Sequence, residues 1–180
     1  MVSLAFGQSA PVARDLMLGR RSLLVAVPSI QKEIKLTEVQ TKKYIDIFDG
    51  VLKVDGERVT LNINNDTNLD AMEKETLALL EPGQKERLDE IWMQRCGPLA
   101  VTDDEVSKKL GLSAVQKNEV DALLIEGAKK LQDIFSLERD SSTPKKAQEV
   151  RAETSRKILR VLTDLQRRDF DALKGKPFRL

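Results

Sequence analysis

The stretch LTEVQ, residues 36–40, decides the reading of this chain, because it returns as LSAVQ at 112–116 and LTDLQ at 162–166, with a degenerate copy, LEPGQ, at 80–84. Leucine, hydroxyl, two variable residues and glutamine is the pattern of a helix start. Thr37, Ser113 and Thr163 are good N-cap residues, and Gln40, Gln116 and Gln166 then fall at the third helical position. That spacing is a capping box, in which the hydroxyl accepts from the third amide while the glutamine side chain reaches back to the cap amide. At the fourth copy Glu81 replaces the hydroxyl, Pro82 takes the first helical position, where its missing N–H costs nothing, and Gln84 remains. Leu36, Leu80, Leu112 and Leu162 precede the caps and are placed to fold back onto their helices.

Working outward, SIQKEIKLTEVQ from Ser29 matches EVSKKLGLSAVQ from Glu105 in apolar pattern. Leu36 and Leu112 are 76 residues apart, and Leu80 and Leu162 are 82 apart, so the chain reads as two related halves, 28–98 and 102–178. Each half ends near a Gly/Pro signal, CGPLA from Cys96 and KGKPF from Lys174. The halves follow an N-terminal segment, 1–27, and the expectation is one compact domain. Thr102 with Glu105 reads as a further capping box, with Gly111 stopping that short helix. In the second half, Val120, Leu124, Leu131 and Phe135 share one helical face, and Ala147, Val150, Thr154, Ile158 and Val161 stripe a second long helix. Together they predict an antiparallel helical hairpin. The first half differs. VLKVDGERVTLNIN, residues 51–64, has β-branched residues around Asp55-Gly56, which suits a type I′ turn, with Val59, Leu61 and Ile63 on one face. A small β-hairpin is expected there, with an irregular loop or distorted helical hairpin as the other reading. The fold class is mainly α.

Composition narrows the function. The 180 residues contain no histidine, removing the commonest general base and transition-metal ligand. The single cysteine, Cys96, excludes an intrachain disulfide and a multi-thiolate site, and reads as a small core residue or a reactive, dimer-linking thiol. There is no nucleophile–base set, glycine-rich phosphate loop or metal-ligand cluster in the sequence, so no catalytic, cofactor or metal residue is assigned and the chain reads as non-enzymatic. Asp103-Asp104 is explained by the helix dipole, and Glu73 and Glu75 lie on different helix faces. Net charge is +1 and aromatics are 4%, which gives no basic, aromatic platform for nucleic acid. No apolar run approaches the ~20 residues a membrane span needs. The start, MVSLAFGQSAPVA, has small residues spaced as at a signal-peptidase site but lacks a charged leader and a full apolar stretch. It reads either as the remnant of a secretory signal or as an ordinary disordered start.

IQKEIKLTEVQ, LLEPGQKERLDEIWMQRCGPLA, LGLSAVQ and LTDLQRRDFDALKGKPF together resemble the LTxxQ-motif proteins, the CpxP/Spy-like helical proteins of the bacterial envelope, and among them the longer planctomycete-type members. The resemblance covers roughly residues 28–178. It implies a mostly helical fold, a periplasmic location, a homodimer or an internal pseudo-dimer of the two halves, and a role as an ATP-independent chaperone or envelope-stress adaptor. The metal-handling relatives use histidine, which this chain lacks. A cytoplasmic location is the alternative.

Two functional expectations follow. In the first, the protein binds unfolded clients or an envelope partner through apolar side chains, with Leu16, Met17 and Leu18, Leu23, Leu24 and Val25, and Trp92 with Met93 as the candidate surface. Core burial is the other reading for each of these residues. In the second, the protein is a structural or regulatory interaction module without chaperone activity. The stretch 145–180, with eleven Lys/Arg against five Asp/Glu, would then present a basic face, although a solvated helix explains it equally well.

Overall fold

The structure is a computed structural model that describes residues 19–55, 58–61, 67–137 and 142–179. It is mainly helical. The chain divides into two compact units where one domain was expected, and their bounds differ from the two halves read from sequence, since 95–98 fall in the second unit and 175–178 in the first. The first holds Arg20–Gln94 and residues 175–179, and the second holds Arg95–Lys174. Residues 20–27, read from sequence as part of a separate leading segment, thus belong to the first unit.

The first unit contains α1 (Arg21–Leu24), α2 (Pro28–Glu33), α3 (Glu38–Ile47), an antiparallel pair β1 (Leu52–Asp55) and β2 (Arg58–Leu61), α4 (Leu69–Leu79) and α5 (Pro82–Cys96), whose last two residues open the second unit. The strands pair Leu52 with Leu61, Lys53 with Thr60, Val54 with Val59 and Asp55 with Arg58. The expected hairpin is therefore present, but Asp55 sits in the ladder rather than in the turn. The turn itself and Ile63 lie outside the described residues. Val25, Ala26, Ile30 and Ile34 from the first two helices, Tyr44 and Phe48 from α3, and Leu88 and Ile91 from α5 form the core.

The shortest helix illustrates how tertiary contacts replace local signals. Four residues cannot hold a helix by propagation alone, and Arg20 at the N-cap of α1 offers no side-chain acceptor. Glu73 of α4 supplies it, its carboxylate accepting from the Arg21 amide at 3.1 Å and the Ser22 amide at 2.9 Å. The Tyr44 hydroxyl then donates to the Ser22 carbonyl at 3.0 Å. Burial, reinforced by the Glu73 charge, pushes the Tyr44 hydroxyl well above its ordinary pKa. Above pH ~10 the unfolded tyrosine releases its proton while the folded one keeps it, so stability falls as pH rises beyond that point. Tyr44→Phe removes this dependence. Urea midpoints measured from pH 8 to 11 should fall less steeply for the variant above pH ~10, and parallel curves would reject the assignment.

The second unit contains a 3-10 helix (Gly97–Thr102), α6 (Asp104–Lys109), α7 (Ala114–Leu137), α8 (Thr143–Val161) and α9 (Asp164–Leu173). The hairpin of α7 and α8 is antiparallel, as the cross-helix pairs Glu126–Lys157 at 2.9 Å and Lys130–Glu153 at 3.2 Å show. Val120, Leu124 and Leu131 on α7 and Ala147, Thr154 and Ile158 on α8 are buried, while Phe135, expected on that face, is 45% exposed. The four charges close a ring, since Lys130 also meets Glu126 and Lys157 meets Glu153. The lysine hydrogen bonds hold both carboxyls below, and the carboxylates hold both ammoniums above, their ordinary values. These groups are exposed, so the ring fixes register more than it stabilises.

Thr102 does not cap α6 as the sequence suggested. The 3-10 helix runs through it, burying the side chain and turning its hydroxyl to the Leu99 carbonyl at 2.9 Å. Asp103 caps instead, accepting from the Glu105 and Val106 amides at 3.0 and 3.2 Å. At the far end, Gly111 takes the left-handed conformation, as the sequence requires, with φ 63°. Its counterpart in the first half is Lys35, which adopts φ 54° at the same step between helices.

Candidate functional site

Each capped helix begins as the motif spacing dictates. Thr37 and Thr163 accept from the amides of Gln40 and Gln166 at 3.2 Å, and the two glutamine side chains accept from the cap amides at 3.0 Å. Ser113 and Gln116 do the same at 3.2 and 3.1 Å. At LEPGQ only the return bond survives, from the Glu81 amide to Gln84 at 2.9 Å. The leucines turn inward: Leu112 and Leu162 are buried, and Leu36 and Leu80 pack against the first core.

The glutamines do a second thing. In the first unit the Gln40 amide nitrogen donates to the Gln84 oxygen at 2.7 Å, and Gln84 returns a bond at 3.1 Å. Gln40 also donates to the Leu79 carbonyl at 2.8 Å and Gln84 to the Lys35 carbonyl at 3.0 Å. In the second unit Gln116 and Gln166 exchange bonds at 2.8 and 3.2 Å, and donate to the carbonyls of Val161 at 2.9 Å and Leu110 at 3.4 Å. Each oxygen thus caps its own helix, while each nitrogen crosses to its partner glutamine and to the end of the helix before the other motif. Every unit is closed by one such reciprocal clasp. The pairing of motifs, LTEVQ with LEPGQ and LSAVQ with LTDLQ, is visible only in the fold.

Turning leucine and glutamine inward turns the residue just before the glutamine outward. Val39, Val115 and Leu165 occupy that place and are 66, 75 and 64% exposed. They are branched apolar residues where the cap needs none, and Gly83 holds the fourth place. Ile45, also exposed, stands on α3 beside a cleft of about 380 Å³ in the first unit, lined by Ala26, Tyr44, Phe48 and Leu52 among others. Sequence reasoning missed these residues. The signal was there, because the second position of a capped first turn points away from the third.

The expected surface falls differently. Trp92 and Met93 are buried, at 3 and 4% exposure, as is Val25. The Arg21 guanidinium lies 3.9 Å over the Trp92 ring and pairs with Asp89 at 2.6 Å, so a cation stacked on the indole and salt-bridged beside it covers what a client would touch. Leu23 and Leu24 are partly buried against the first core. Leu16, Met17 and Leu18 lie outside the described residues. Cys96 is half-buried at the end of α5. The basic stretch is in part consumed internally. Arg167 donates to the Leu159 carbonyl at 2.7 Å and bonds the Leu162 carbonyl and Asp164, while Lys174 pairs with Asp171 at 2.7 Å.

Among the described residues no group of histidine, cysteine and carboxylate side chains is placed to hold a metal, and no helix is long and apolar enough to cross a membrane. No family model, curated protein or solved structure matches the chain.

Proposed function

We propose that the protein is a non-enzymatic, ATP-independent chaperone-like or envelope-stress adaptor protein of the periplasm, which holds apolar segments of unfolded or partner polypeptides. The observation that carries this reading is the set of exposed branched side chains at the helix starts, Val39, Val115 and Leu165, with Ile45 on the lip of the first unit's cleft. Neither the caps nor the cores use them. Covering one such side chain with a client's apolar surface is worth roughly 1.5–3 kcal/mol at full burial, so a few contacts give a hold that forms and releases without a nucleotide. Neighbouring lysines, such as Lys42, Lys43 and Lys117, can lay their methylene stems on a client while their charges stay in water. The compartment rests on the resemblance of the LTxxQ segments to envelope proteins.

The test is light scattering of a chemically unfolded model protein, diluted with and without this protein and in the absence of ATP. Suppression at near-equimolar ratio is expected, weakened by Val39→Ser with Ile45→Ser, which change surface residues only. No suppression at several-fold excess would overturn the holding role and leave the interaction module without chaperone activity as the better reading.

A further inference from the structure

The first unit already holds a peptide. Residues 175–179, the GKPF segment and the following arginine, bend at Lys176 and lie against α5. The Lys176 carbonyl accepts from Arg87 Nη1 at 2.7 Å and from Gln94 Nε2 at 2.8 Å, and the Phe178 amide donates to Gln94 Oε1 at 2.8 Å. One glutamine therefore reads a carbonyl and the amide two residues on. Pro177 between them has no N–H to satisfy and a fixed φ, so it suits that bracket. The Phe178 ring packs against the first core. Gly175 enters with φ +59°, a left-handed conformation that favours glycine, and a Cβ there would have to displace the Glu90 carboxylate, 2.0–2.3 Å away. The Lys176 side chain makes no contribution to this bracket, and residues 175–177 are exposed.

The bracket is also built in advance. Arg87 pairs with Glu33 at 2.7 Å and with Glu90 at 2.5 Å, and these two carboxylates hold the guanidinium beside the Lys176 carbonyl. The strap itself rests on a partly buried ring and on hydrogen bonds to the Arg87 and Gln94 side chains, and residues 175–177 and 179 are exposed. We propose that this face of α5 is a recognition site for partner segments of the form Gly-Xaa-Pro-aromatic, and that residues 175–179 are its resident, displaceable occupant. The inference is independent of the holding role. It concerns a sequence-selective site, whereas unfolded clients are held through scattered apolar side chains.

The test is fluorescence anisotropy of a labelled Gly-Lys-Pro-Phe-Arg peptide titrated with the intact chain and with Phe178→Ala, which releases the strap. A tethered competitor acts at an effective concentration in the millimolar range, so at least about tenfold tighter binding to the variant is expected. Peptides with Gly→Ala or Phe→Ala should fail, and Lys→Ala should bind unchanged. Adding Gln94→Glu, which keeps an acceptor but removes the donor, should abolish binding with helical content intact. If Phe178→Ala does not fold, Gly175→Ala, which strains the φ +59° backbone where the strap enters, serves in its place. No binding to either released variant overturns the proposal. So does dimerisation of the intact chain without peptide binding, which would assign the face to a second copy.

Discussion

Phe170→Ala is expected to cost the second unit about 3–5 kcal/mol. Phe170 lies on the short helix α9, between Thr163, which caps it, and Lys174, whose ammonium sits 4.6 Å from the ring centroid. Its side chain is 0% exposed, so truncation both removes apolar burial and leaves a cavity that the surrounding helices fill only in part. Denaturant titration followed by far-ultraviolet circular dichroism would read the change as a lower midpoint at similar slope. A loss below ~1 kcal/mol would mean that the site collapses around the alanine or that the ring is not buried.

The second large effect separates the two jobs of the motif glutamine. Gln116→Glu keeps an oxygen to accept the Ser113 amide, so the capping box survives. It replaces the donor that reaches Val161 and Gln166 with an oxygen facing two oxygens. The expected cost is roughly 2 kcal/mol near neutral pH, because acceptors that were paired lose their donor. It should shrink in acid, where a protonated carboxyl can donate again. Thr163→Ala, which touches only the cap, should cost about 1 kcal/mol. A double-mutant cycle of Gln116→Ala with Gln166→Ala should show coupling of at least ~0.5 kcal/mol, since both act through one bond pair. If Gln116→Glu melts like the parent, the clasp contributes nothing beyond the cap.

Much of the architecture was legible before any coordinates. The helix starts at Glu38, Ala114 and Asp164 follow from hydroxyl-to-glutamine spacing, because capping is local chemistry within four residues. The α7–α8 hairpin followed from apolar periodicity, and the strand pair from β-branched residues around Asp55-Gly56. Local reasoning failed where two neighbouring residues could each cap a helix, and where partners came from far along the chain. Thr102 looked like a cap but was drawn into a 3-10 helix that buries it, leaving Asp103 to cap. Trp92 read from sequence either as surface or as core, and Arg21, 71 positions earlier, is what covers it. Glu73 looked like one of two unrelated carboxylates, yet it caps α1 from another helix.

The motif itself divides along the same line. By itself the sequence determined that LTEVQ and its copies start helices, since every group in a capping box lies within one turn. It also determined that the repeat builds two related halves. It did not determine why the last residue is glutamine in all four copies, when a capping box accepts glutamate as readily. That answer needed the tertiary structure. A carboxylate could cap, but only an amide can cap with its oxygen while its nitrogen donates across to a second motif 44 or 50 residues away.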